Sequence, residues 1–162
     1  MEVSMRFILT IITLVLFTTP SWSADFNKGL IAYNNGDYAT AIEEWTPLAE
    51  QGDAYAQYNL AYMYDIGQGV LQDDQTAVKW YTLAAEQGLA KSQYNLGVSY
   101  AKGEGVFQDY TYGHMWLNIS ASIGNDDAPN ARKIVEVSMT PAQIEQAQAL
   151  ARECVKKEYK DC

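Results

Sequence analysis

A phrase of 22 residues is written twice in this chain, at an offset of 36. GDAYAQYNLAYMYDIGQGVLQD begins at Gly52 and GLAKSQYNLGVSYAKGEGVFQD at Gly88, with 12 identical positions, and Gly124 opens a third, decayed copy. Internal duplication at such a period marks a stacked-repeat solenoid, in which each unit buries its apolar face only against its neighbours. The repeat therefore constrains the architecture strongly and the molecular partner hardly at all.

Each copy carries two helical signals. Ala56, Leu60 and Tyr64 recur at spacing four, as do Ser92, Leu96 and Tyr100, which puts each set on one buried face of a first helix, the A helix. Ala77, Trp80, Tyr81, Ala84 and Ala85 follow the amphipathic i, i+3, i+4 rule in a second, B helix, matched one repeat later by Gly113, Trp116, Leu117, Ser120 and Ala121. Between them lies GQGV at Gly67 or GEGV at Gly103, then Asp73 or Asp109. The first glycine suits the left-handed residue that ends a helix, and the aspartate suits the cap of the next. A phosphate-loop reading of the glycine pair fails, because no strand precedes it, no lysine follows it, and Glu104 would repel phosphate.

Upstream, Ala41, Ile42, Trp45, Leu48 and Ala49 align with the B helix one repeat later, predicting a helix over 38–51 capped by Asp37 and a partner over 25–35 carrying Phe26, Leu30 and Tyr33. This copy lacks the GxGV loop, as a terminal repeat facing solvent can. Downstream, Asp126 and Asp127 with Pro129 predict a short helix to Val137. Thr140, Pro141 and Gln143 then give a helix-start signal, followed by a narrow apolar stripe of Ile144, Ala147, Leu150, Ala151 and Cys154. The fold class expected is all-α: an α/α superhelix of antiparallel helix pairs, with repeats at about 25–52, 53–88 and 89–124 and capping helices at about 126–156.

At the N-terminus, Arg6 precedes an apolar run from Phe7 to Phe17. That run is too short to span a bilayer, so a cleaved secretory signal over 1–23 is expected, with small residues Ser21 and Ser23 ahead of the cut and a mature chain from about Ala24, periplasmic or secreted. The remainder, 24–162, holds no further apolar stretch of membrane length, so a single domain with no stable membrane insertion is expected. Cys154 and Cys162 are the only cysteines. In an exported chain a disulfide pinning the tail to the last helix is the favoured arrangement, two free thiols or an intermolecular bridge being the alternatives. Two cysteines and the single His114 cannot complete a tetrahedral zinc shell, and no cofactor or metal is called for.

The net charge of −9 argues against nucleic acid and anionic lipid, neither of which would gain counterion release from such a surface. It favours a basic partner. No catalytic constellation converges either. His114 takes the place of Val78 and Ile42 in the other B helices, which fits a structural role. Ser99 and Lys102 spell S-x-x-K, but the S-D-N and K-T-G elements of penicillin-binding enzymes are absent.

AQYNL, GxGV, QD and AVKWYTLAAEQG in their 36-residue register resemble the Sel-one-like repeat, a relative of the tetratricopeptide repeat, over nearly all of the chain from Asp25 onward. The resemblance implies a right-handed superhelix with A helices lining the concave side, and a role as a scaffold for protein assembly in exported bacterial members. Some members clamp each helix pair with its own disulfide. This chain has no cysteine inside a repeat, so its repeats must be held by packing.

If the A helices line the groove, the positions their buried stripe leaves free face a ligand. These are Tyr55, Asn59, Tyr62 and Met63, then Lys91, Asn95, Val98 and Ser99. Such a set can grip a peptide by stacking and by hydrogen bonds to its backbone, while Asn59 and Asn95, shared by both copies, equally suit a role in the fold. The function expected is a non-enzymatic, exported protein-binding module. An envelope enzyme of β-lactam or peptidoglycan chemistry and a secreted inhibitor of one target are the alternatives.

Overall fold

The computed structural model describes residues 24–162; the expected signal segment lies outside them. Among the described residues the chain forms eight helices and no strand: α1 Phe26–Asn34, α2 Tyr38–Glu50, α3 Ala54–Ile66, α4 Asp74–Ala85, α5 Ala90–Lys102, α6 Tyr110–Ser122, α7 Ala128–Glu136 and α8 Pro141–Lys156. Each of the first six packs on its chain neighbour, and α7 and α8 both pack against α6. This is the expected α/α solenoid closed by two capping helices.

Asp37, Asp53, Asp73 and Asp109 stand at the N-caps of α2, α3, α4 and α6, and each carboxylate accepts a backbone N–H of the first turn. That satisfies donors which the helix leaves without a partner and places negative charge at its positive end. Gly67 and Gly103 end α3 and α5 at φ 66° and 77°, the left-handed region that a side chain resists. After each of these glycines the loop closes on itself, Asp73 N–H donating to the Tyr64 carbonyl at 3.0 Å and Asp109 N–H to the Tyr100 carbonyl at 2.8 Å. Thr140 and Gln143 form the reciprocal capping box at the start of α8.

The apolar stripes meet in three clusters. Trp45, Ala41, Ala49, Ala56, Leu60 and Met63 fill the first, and Tyr81, Ala61, Ala77, Leu96, Met115, Trp116 and Ile119 the second, to which α8 contributes Ala151 and Cys154. Leu117, Ala128 and Val135 make a smaller third beneath α7. The glutamine of each QYNL phrase is buried with them: Gln57 Nε2 donates to the Ala49 carbonyl at 3.0 Å, and Gln93 Nε2 to the Ala85 carbonyl at 3.1 Å. Each repeat thereby adds a side-chain donor to a carbonyl at the C-terminal end of the preceding helix, which also accepts the N–H of Gly52 or Gly88.

Two local expectations change. Leu30 is exposed, and the inward face of α1 is instead Gly29 and Ala32, because the Trp45 indole lies across Gly29 and donates from Nε1 to the Phe26 carbonyl at 3.2 Å. At α7 neither Asp126 nor Asp127 provides the cap. Asn125 Oδ1 accepts from the N–H groups of Asp127 and Ala128, each at 3.0 Å, one residue before the aspartates that the sequence suggested.

The Cys154 and Cys162 sulfurs lie 2.07 Å apart, at disulfide distance. The bridge turns residues 157–162 back over α8, with Glu158, Tyr159 and Asp161 all at positive φ and Tyr159 lying over Gly88. No described helix is long and apolar enough to cross a membrane.

Candidate functional site

The face shared by α3 and α5 is built on a run of tyrosines. Tyr58 stacks on Tyr62 with ring centroids 6.5 Å apart, meets Tyr81 of α4 at 6.1 Å, and carries the Lys91 ammonium 5.9 Å from its centroid. Tyr62 is 38% exposed and Tyr55 62%, the latter with its ring edge against Phe26 of α1. These amphipathic rings present apolar faces to solvent while their repeat positions fix them on one side of the stack.

Beside the tyrosines, α3, the GxGV loops and α5 enclose an open cleft of about 330 Å³. Asn95, Val98 and Ser99 form its α5 wall, and Asp65, Ile66, Asp74 and Glu104 line it opposite Lys102. Three carboxylates thus face one ammonium, and that ammonium is already paired with Glu104 at 3.4 Å. Burial raises the Asp65 carboxyl above its ordinary value; the hydrogen bond from Tyr81 opposes this, Asp74 and Glu104 add to the rise, and Lys102 offsets part of it. Tyr81 donates to Asp65 Oδ2 at 3.1 Å, and its hydroxyl, pushed far up first by burial and then by the Asp65 charge, also meets the Asn95 side chain. A cation entering this cleft would relieve the excess of negative charge.

Of the residues singled out from sequence, the structure gathers Asn95, Val98 and Ser99 around the cleft and Tyr62 with Lys91 around Tyr58. Tyr55 stands apart, on the α1 side, and Asn59 is half-buried in the middle of α3. Met63 is a correction: it is wholly buried, in the cluster with Trp45 and Leu60, and cannot touch a ligand. Its place next to the exposed Tyr62 rotates it by one residue, about 100°, into the core. Ser99 is also largely buried, and Lys102 of the S-x-x-K spelling points its charge at a carboxylate instead of waiting as a base.

Tyr58, Asp65 and Ile66 were missed. Tyr58 belongs to the identical QYNL phrase and hides among positions explained by stacking; Asp65 and Ile66 differ between copies, as Ala101 and Lys102 show, but lie at the last turn of α3, past the buried stripe. His114 is fully buried in α6, its Nε2 2.9 Å from Glu136 Oε1 of α7, a tie between helices. Among the described residues no group of three or more His, Cys, Asp or Glu side chains could hold a metal ion.

The Sel1 repeat profile matches residues 54–89 and 90–125. Among solved structures, the chain is similar to a protective antigen present in uropathogenic Escherichia coli strains and displaying an SLR fold, with 30% identity and a TM-score of 0.77 over 82% of this chain. It is also similar to a Sel1 repeat protein from Oxalobacter formigenes, with 32% identity and a TM-score of 0.66 over 70% of this chain. The chain spans 30% of the first relative's length and 47% of the second's. No curated protein matches it. Paired helices, GxGV loops and buried QYNL glutamines recurring in the matched register show that residues 54–125 of this chain form two Sel1 repeats, a fold that is typically a non-catalytic module for protein–protein interaction.

Proposed function

We propose that this chain is an exported protein-binding module whose A-helix face, the concave side in this family, takes a peptide segment or helix of a basic envelope or secreted protein. The observation that carries the reading is the acidic cleft of Asp65, Asp74 and Glu104 lying beside the Tyr58–Tyr62–Lys91 stack. A lysine or arginine of the partner enters the cleft, its flanking apolar side chains lie on Tyr62 and Ile66, and the Asn59 and Asn95 amides meet its backbone. The net charge of −9 speeds the approach of a cationic segment at low salt. Export is supported by the apolar run after Arg6 and by the cysteine bridge, a bond that persists in oxidising compartments.

A photo-crosslinking side chain placed at Tyr62 in living cells identifies the bound protein. Tyr55→Ala combined with Tyr62→Ala is then expected to weaken capture of that protein with helical circular dichroism unchanged, since both rings are exposed. Capture by the double variant at the wild-type level would sink the assignment.

A further inference from the structure

At the edge of the acidic cleft, the two GxGV loops lead into a feature that stacking does not explain. Leu71 is 91% exposed and Phe107 98%, and they occupy the same repeat position. One exposed apolar side chain needs no explanation; two in register on adjacent rigid loops do. The loops are rigid because each is seated on the preceding repeat. A Cβ at Gly69 would fall 2.4 Å from Tyr38 Cβ, and one at Gly105 2.1 Å from the Asp74 carbonyl oxygen, so only glycine allows the approach. Backbone bonds from Asp73 and Asp109 close each loop behind the knob.

Beside Phe107 lies an open hollow of about 980 Å³, walled by Tyr100, Val106, Tyr112 and Cys162. Around the two knobs stand Asp73, Asp74, Glu104 and Asp109, with Lys102 on Glu104 and Lys79 near Asp73 as the nearby cations. Leu71 is three residues from Asp74 and Phe107 two from Gly105, which touches Asp74, so the knobs stand on the order of 20 Å apart or less. An α-helix of about fourteen residues spans that distance.

We propose that this loop edge is a second docking surface, adjoining the acidic cleft and sharing Asp74 and Glu104 with it but centred on Leu71 and Phe107, for a cationic amphipathic helix of another protein. Its apolar stripe packs over Leu71 and Phe107 and into the hollow, and its lysines or arginines flank the stripe to meet the loop carboxylates. Charge selects this occupant. Two copies of a chain carrying −9 repel one another, and an anionic lipid surface repels these carboxylates.

The test uses a fluorescein-labelled helical peptide of about eighteen residues, leucine on one face and lysine on the other, with fluorescence anisotropy as the readout. Wild-type protein is expected to bind it, less tightly as salt rises; Leu71→Ser with Phe107→Ser weakens binding about tenfold or more, and Tyr55→Ala with Tyr62→Ala leaves it unchanged. Both knobs are almost fully exposed, so the fold survives their loss, which circular dichroism confirms. Absence of binding, or equal binding by the Leu71→Ser/Phe107→Ser protein, overturns the proposal, the latter because charge alone then accounts for it. Wild-type dimerisation in sedimentation, or attachment to neutral lipid vesicles, that is abolished by the same pair overturns it in favour of a second copy or a membrane.

Discussion

Adjacent residues on α3 divide sharply between fold and surface. Tyr62 leaves more than a third of its area in water while Met63 has none. Met63→Ala empties a fully lined site between Trp45 and Leu60, and a loss of about 2–5 kcal/mol is expected from removed transfer energy plus the residual cavity. Tyr62→Ala removes a half-exposed ring from the Tyr58 stack, for which about 1 kcal/mol is the expected scale. Urea midpoints at unchanged slope measure both. A larger loss from Tyr62→Ala than from Met63→Ala would contradict the burial assigned to them. The sequence could not make this distinction, because both positions differ between the copies and only the direction of the core separates them.

At the scale of elements, caps were legible and the closing of the chain was not. Aspartates one residue before an amphipathic run announce α2, α4 and α6, since only short acceptor side chains reach the N–H groups of a first turn. The Asn125 cap of α7 was obscured by the two aspartates after it. The terminal bridge closes a loop of sequence separation 8 outside the repeats, so its constraint on the unfolded chain is bounded at roughly 2–3 kcal/mol and acts on the tail. Reduction, or Cys162→Ser, is therefore expected to strip hydrogen-exchange protection from residues 157–162 and to loosen the end of α8, while α3 to α6 keep theirs. Loss of protection throughout would show that the bridge holds the whole stack. Two alkylatable thiols in the unreduced protein would show that it does not form.

For the whole molecule, pH reports how the acidic excess is arranged. Asp37, Glu44, Asp73 and Glu153 are held below their ordinary values, each first by a side-chain hydrogen bond: to Thr40, Lys28, Thr76 and Lys156 in turn. Their contribution is present above the unfolded values of 3.8 and 4.5 and is lost as pH falls through the lowered ones. Asp65 has the opposite sign. Its folded carboxyl binds a proton more tightly than the unfolded one, so stability falls as pH rises from 3.8 through its raised value. Asp65→Asn is expected to gain on wild type at neutral pH, a gain that shrinks as pH is lowered toward 3.8, and urea midpoints across that range check it. A difference independent of pH would remove the desolvated carboxylate from the account of the cleft. By itself the sequence determined the repeat period, the pairing of helices, most caps and the buried stripes, because these rest on local spacing and on self-similarity between copies. The tertiary structure alone decided that Met63 turns inward, that Asp65 joins Asn95 around one cleft beside the Tyr58 stack, and that Leu71 and Phe107 stand out on rigid loops. Those facts depend on which surfaces meet when one repeat is laid on the next, and no spacing within a single repeat encodes that contact.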